Sequence, residues 1–254
     1  MLGFNHLAEY VSRASVLLAG VLVLVGGLFV ALFARHERRE TNPILDLTLL
    51  RSTPFLAANV YNMMIGAGIF GIVSFIPLYA TSVHHLSTLL SGVILTPRSV
   101  GVICSSTITS FLLTRWGYRK PMLWGLGVMA ISTLLLGDDT FRLWQLLGLR
   151  WGVPEMLSLV ILLTGIGLGI ALPASNNACI ELMPSKVATI TGLRGMFRYV
   201  GGAVGISATT LILHVSRSPA AGFRVTFFTF GLVFLATMPL VFLMPTGKQA
   251  GARP

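Results

Sequence analysis

A single arginine interrupts a long uncharged run: from Leu86 to Thr114 every residue is apolar or small and polar except Arg98. Counted from Thr88 at the rise of a helix, Arg98 lies roughly 15 Å along that run, near the middle of a bilayer if the run is a span. A cation at that depth cannot easily snorkel to water, so it calls for a cavity or buried acceptors. Arg194 and Arg198 form a second feature, four residues apart on one helical face near the end of another apolar run. There, long side chains reach the headgroups without needing any other role. Tyr61 and Asn62 in one run, and Asn176 and Asn177 at the end of another, are uncharged candidates for a cavity lining. Each serves equally well as an interhelical hydrogen bond.

The chemistry that is missing narrows the field further. The eight acids are Glu9, Glu37, Glu40, Asp46, Asp138, Asp139, Glu155 and Glu181, and none stands in the middle of an apolar run. His84, His85 and His214 fall near run ends, so no buried proton carrier is readable. Hydrolase elbows, zinc-helix motifs and phosphate loops are all absent, which disfavours an enzyme and leaves no catalytic residue, metal site or cofactor to assign. Gly66-Ala-Gly68-Ile-Phe-Gly71 matches a dinucleotide fingerprint, but it has no preceding strand and no acidic partner. Glycines that let helices approach closely account for it better, as they do for Gly165-Ile-Gly167-Leu-Gly169 and Gly201-Gly202-Ala-Val-Gly205. Cys104 and Cys179 support neither a disulfide framework nor a metal site.

The elements that must position these residues are membrane helices. The 254 residues are 54% hydrophobic and 10% charged, against about 25% charged in soluble domains. At roughly 20 apolar residues per span, seven candidates emerge. They are Ala14–Ala34 and stretches within Pro54–Thr81, Thr88–Thr114, Pro121–Gly137, Met156–Ile180, Ala188–Val215 and Val225–Met244. The fourth is short. The sixth carries the Arg194 and Arg198 pair. The expected organisation is a first helix and linker over residues 1–53, a six-span block over 54–247 and a tail over 248–254.

The net charge of +10 comes from short basic turns rather than a contiguous basic face, so nucleic acid is not an expected partner. One set of loops, with the C-terminal tail, carries ten of the Lys and Arg residues, among them Arg115, Arg119 and Lys120; the other set carries five. The positive-inside rule therefore places the first set, and the C-terminus, in the cytoplasm. The expectation is a multi-pass protein of the cell (inner or plasma) membrane.

With these residues in view, the chain resembles the C-terminal half of a major facilitator superfamily transporter, and within it the 14-helix drug:proton antiporters of the EmrB/QacA type. The likeness rests on Ile76-Pro-Leu-Tyr79, on Ser91-Gly92 with Pro97-Arg98-Ser-Val-Gly101, and on the turn Arg115-Trp-Gly117-Tyr-Arg119-Lys120. Gly165-Ile-Gly-Leu-Gly169 with Pro173 and Arg198-Tyr-Val-Gly201-Gly202-Ala-Val-Gly205 complete it. The turn departs from the family pattern in having Thr114 where an acid normally precedes the first arginine, and Ser110 where a glycine is usual.

The resemblance implies an all-α membrane protein of one linker helix plus a six-helix half-bundle. It also implies proton-gradient-driven efflux of drugs or other small amphipathic molecules. Arg115, Gly117, Arg119 and Lys120 would then form a gating turn, and Arg198, Gly201, Gly202 and Gly205 a helix-packing motif. The substrate pathway of such a protein runs between two halves. The chain is therefore expected to need an N-terminal half as partner, with Arg98 facing it. A non-transporting membrane scaffold built on a transporter half is the alternative, and a homodimer ranks behind it.

Overall fold

A computed structural model describes residues 21, 24–29, 31–32, 35–36, 52–137, 152–182 and 184–244. The chain divides into two compact units, Met1–Arg51 and Ser52–Pro254. In the first, the described residues between 21 and 36 are helical. They cover part of the expected first span, whose remainder lies outside the described residues, as do the linker to Arg51, the segment 138–151 and the tail.

The second unit is all helix among its described residues. Its elements are α1 (Thr53–Val73), α2 (Ile76–Ser82), α3 (Thr88–Val93), α4 (Thr96–Trp116), α5 (Arg119–Leu136), α6 (Val153–Leu182), α7 (Val187–Val215) and α8 (Pro219–Thr237). Short 3-10 turns cover Pro184–Lys186 and Met238–Leu243. Five stretches among the described residues are long and apolar enough to cross a membrane: Thr53–Ser82, Thr88–Trp116, Val153–Leu182, Pro184–Val215 and Pro219–Leu243. The expected fourth span forms as α5 but falls short of them. Its 18 residues begin with Arg119 and Lys120, which dilute the apolar run. This is an integral membrane protein.

Prolines set where the spans bend. Pro77, Pro97 and Pro239 each stand in the first turn of a new helix, α2, α4 and the final 3-10 turn. A missing N–H and a clash with the preceding turn interrupt the ladder at such a residue, while a first-turn position tolerates both. Pro173 lies inside α6 without ending it.

Two seams hold the unit together, α1 against α7 and α4 against α6, and α5 then rests on α6 with α8 behind it. In lipid, apolar surface gains little by leaving the solvent, so helices associate through close packing, which small residues permit. The α1–α7 seam shows this directly. A methyl group on Gly66 would collide with the backbone of Arg198, one on Gly201 with Met63, and one on Gly205 with Ala67. On α6, Gly165 and Gly169 meet Arg98 and Val102 of α4, while Gly167 between them meets Gly125 of α5. The alternate glycines of one short run thus serve two different neighbours. Hydrogen bonds lock the seams: Thr209 Oγ1 donates to Gly71 O across the first (2.8 Å), and Ser105 Oγ to Ile166 O across the second (3.1 Å).

Replacing Gly201 by Ala places a methyl group against the Met63 carbonyl, whereas Gly192 on the same helix faces open space. Gly192→Ala is expected to leave thermal stability in detergent unchanged or raised, because Ala is the better helix former by about 1 kcal/mol. Gly201→Ala is expected to lower stability by about 1–3 kcal/mol, the cost of overpacking a tight interface. Equal effects at the two sites would refute the seam.

At the end of the unit where α2 turns, Tyr79 meets His84 edge-on with ring centres 4.9 Å apart and packs against Phe223 and Phe227. Burial, and secondarily the neighbouring His85, lowers the pKa of the His84 imidazole. A base held below its ordinary value of about 6.5 favours the neutral form, so its contribution to stability is present above that pH and fades as pH falls through it. A melting temperature that drops on acidification from about pH 7.5 to 5.5, with a smaller drop in His84→Phe, is the expected result. An unchanged pH profile in that variant would remove His84 from the account.

Candidate functional site

Asn62 is the centre of the polar interior. It is fully buried about 14 Å along α1 from Thr53, well inside the membrane thickness. Its Nδ2 donates to Ala58 O (2.8 Å), one turn back on its own helix, and reaches Cys179 Sγ (3.5 Å). Its Oδ1 accepts from Ser175 Oγ (3.5 Å) on α6 and from Arg198 Nη2 (3.4 Å) on α7. One side chain thereby ties three helices together. The contacts are long, and they assemble only because the glycines beside Arg198 bring α7 onto α1.

Arg198 sits about 17 Å along α7 from Val187. Its guanidinium turns inward to Asn62 rather than out to the headgroups. Arg198 Nε and Arg194 Nη1 are buried without a hydrogen-bond partner among the described residues. Asn176 Oδ1 on α6 is likewise buried and without a partner. Arg194 and Arg198 make a half-buried, cationic, donor-rich patch, with Cys179 against it. In a low-dielectric setting such a patch favours an electron-rich or anionic group.

The other residues singled out from the sequence separate into different roles. Tyr61 is fully buried, and its hydroxyl donates to Met122 O of α5 (3.2 Å), so in this structure it is a helix-to-helix strut. Asn177 is exposed, and its Nδ2 donates to Pro173 O (2.9 Å). Arg98 is half-buried and borders a small void together with Ile72, Ile76, Leu136, Ile161 and Thr164. The structure therefore brings its side chain among α1, α5 and α6, within the block. Its Nε is buried without a hydrogen-bond partner among the described residues. Arg98 and Arg198 do not share a site. They lie at different levels of α1, Arg98 beside Ile72 near its C-terminal end and Arg198 beside Asn62 at its middle.

Gly201 and Gly205 are packing residues in the α1–α7 seam, and Gly202 faces the Phe70 ring. In the basic turn, Gly117 takes φ 68°, a left-handed conformation that ends α4 and that only glycine adopts freely. Arg119 then reaches the far end of the chain. Its Nη2 donates to Phe242 O and Met244 O (2.8 Å each), and its Nε donates to Met244 O (3.1 Å). A guanidinium on the open carbonyls of a final turn is favourable both as charge-assisted hydrogen bonding and against the helix dipole. Arg115 and Lys120 are exposed and make no such contact with a described residue. Tyr118, in the same turn, has its phenol pKa raised by burial and by the nearby Glu181 carboxylate.

Ser175, Cys179 and Arg194 were not among the residues singled out as a lining, and Ser132 with Thr164 forms a further buried pair (3.0 Å). The one available signal was helical spacing. Ser175 and Cys179 are four apart on α6, as Arg194 and Arg198 are on α7.

The model of the Major Facilitator Superfamily matches residues 4–205 and, in an overlapping second match, residues 98–254. The chain belongs to that superfamily. Similar proteins include the tetracenomycin C resistance and export protein of Streptomyces glaucescens, 28% identical over 202 residues, 79% of this chain and 35% of the relative. The multidrug transporter protein MdtP of Bacillus subtilis (strain 168) is 25% identical over 197 residues, 76% of this chain and 34% of the relative. The colistin resistance protein EmrB of Acinetobacter baumannii is 24% identical over 212 residues, 81% and 38% of the two chains. The chain thus spans little more than a third of the length of these curated relatives.

Removing the Arg119 anchor is expected to cost about 1–3 kcal/mol, the range for charge-assisted hydrogen bonds. Hydrogen exchange should accelerate at Met238–Met244 in Arg119→Gln and remain unchanged in Arg115→Gln. Equal behaviour of the two variants would show that the contacts carry no stability.

Proposed function

We propose that the block from Thr53 to Met244 is one half of a proton-coupled efflux transporter for drugs or other small amphipathic molecules. It works by alternating access against a second six-helix half. One observation supports this reading above the others: α4 and α7 lie on the unit with one side unpartnered. In the most apolar stretch of each span, 22% of residues are buried along Thr88–Trp116 and along Pro184–Val215, against 56% along Val153–Leu182.

The uncovered side of α4 carries Val100, Ile103, Cys104, Thr107, Phe111 and Thr114, an apolar stripe with small polar groups at helical spacing. That composition suits a helix that meets another half and, between conformations, water. The half-buried Arg194 and Arg198 beside Asn62 are then the polar point of a largely apolar pathway between halves, the arrangement expected of a carrier with a midplane site. The export and resistance roles printed in the names of the three relatives agree with this reading. The protein then resides in the cell membrane with the basic turn Arg115–Lys120 and the C-terminus in the cytoplasm, in keeping with the distribution of Lys and Arg among its loops.

Cells expressing residues 1–254 alone are expected to show no protonophore-sensitive export of a dye such as ethidium. Co-expression with a six-helix half supplied in trans is expected to restore export, and Arg198→Gln to reduce it. Robust protonophore-sensitive export from residues 1–254 alone would overturn the half-transporter reading. Restored export that ignores the protonophore would overturn the proton coupling.

A further inference from the structure

The seam between α4 and α5 is unlike the others. The two helices leave a common turn at Gly117–Tyr118 and splay apart, touching little, while both lie against α6. Between them opens a cleft of about 370 Å³. Ile108 and Trp116 of α4 form one wall, Trp124 and Val128 of α5 the other, and Ile166 and Ile170 of α6 the floor. Ser105, which also lines it, already donates to Gly101 O and Ile166 O. The trough therefore offers hydrocarbon contact and little hydrogen bonding.

Its mouth has the opposite character. Arg115 closes the last turn of α4 and Lys120 stands in the first turn of α5, both exposed. Neither makes a hydrogen bond or ion pair with a described residue, in contrast to Arg119 between them, which is committed to the carbonyls of Phe242 and Met244. The spacing carries an order down the α5 wall. Lys120, Trp124 and Val128 lie at four-residue steps on one face of α5, running from cation through indole to aliphatic. On α4, Arg115 and the terminal Trp116 stand about two turns above Ile108. Both indoles are at least half exposed, Trp116 at 50% and Trp124 at 68%. Indoles in that setting belong at the headgroup boundary, and paired basic residues over an intramembrane crevice recognise anionic headgroups.

We propose that this cleft is a binding site for an anionic phospholipid, with one acyl chain lying in the trough over Ile166 and Ile170 and the phosphate held between Arg115 and Lys120. The cleft is lined mostly by apolar side chains and opens beside the basic turn, which fits a flexible chain. The two free cations select the headgroup. The bound lipid wedges α4 and α5 at their splay and stabilises the basic turn from outside, while Arg119 holds it from within.

The test uses all 254 residues in lipid nanodiscs. Trp144→Phe and Trp151→Phe leave Trp116 and Trp124 as the reporters among the chain's four tryptophans. Acyl-brominated phosphatidylglycerol at low mole fraction in unlabelled phosphatidylcholine is compared with acyl-brominated phosphatidylcholine at the same fraction in the same matrix. The expected result is stronger quenching by the anionic lipid, with a preference of roughly fivefold for each basic side chain involved. Arg115→Gln with Lys120→Gln should remove the preference and leave the weaker quenching by bulk lipid, with helix content unchanged by circular dichroism. Equal quenching by the two lipids in the parent protein, which involves neither basic substitution, would overturn headgroup recognition. No quenching by either would overturn the site altogether and indicate that protein covers the cleft.

Discussion

Backbone lying on backbone, at Gly201 and Gly205 of α7 against Met63 and Ala67 of α1, is the contact on which the rest of the unit depends. In water the hydrophobic effect would drive such helices together whatever their side chains. In lipid that term is nearly absent, and what remains is dispersion between closely fitted surfaces together with a few hydrogen bonds. Glycine supplies the fit by removing the side chain from the line of approach. The same device recurs at Gly165 and Gly169 against α4 and at Gly125 and Gly167 between α5 and α6. These contacts fix the helix pairing, and the pairing fixes every polar contact in the interior.

The Asn62 cluster follows from that geometry. Arg198 stands three residues before Gly201, so the turn that presses α7 onto α1 also delivers the guanidinium to Asn62. A cation this deep is costly unless water, acceptors or a ligand compensate it. Asn62 supplies one acceptor, Ser175 shares it, and Arg194 Nη1 and Arg198 Nε have no hydrogen-bond partner among the described residues. The arrangement is stable enough to exist because most other buried hydroxyls and amides turn back on their own helices, as Asn59 does to Phe55 O and Thr164 to Val160 O. The unit thus holds its uncompensated polarity in a few places.

Much of this was legible in the sequence, for physical reasons that differ between elements. The spans were readable because a bilayer demands long apolar helices. Gly165 to Gly169 read as packing glycines on composition alone. What was not readable required tertiary pairing. Arg119 finds its partners more than a hundred residues away, at Phe242 and Met244, and no local pattern marks a bare carbonyl. Arg98 read as facing a missing half because the run around it is apolar on all sides. Which side of α4 meets α6 is decided by Gly101, Gly165 and Gly169, and that register lies outside the reach of single-helix periodicity. Tyr61 looked as suited to a lining as Asn62, one residue further on. A rotation of 100° about the helix axis separates a strut to Met122 from the centre of the polar cluster.

The unit therefore contains two kinds of seam with different physical consequences. Where glycines face backbone, as in α1–α7 and α4–α6, the helices meet without intervening side chains. Where bulky side chains stand at the edge, as Trp116 and Trp124 do between α4 and α5, the helices separate and leave apolar room. A half-bundle that must rock against a partner needs the first kind around its pathway, so that motion is transmitted rather than absorbed. It tolerates the second kind only at its margin, where lipid can fill the gap. The glycines fall in the helices that carry Arg98, Asn62 and Arg198, and the tryptophans fall beside the basic turn. The glycine seams thus hold the helices that carry the buried polar residues, and the open seam ends at the basic turn.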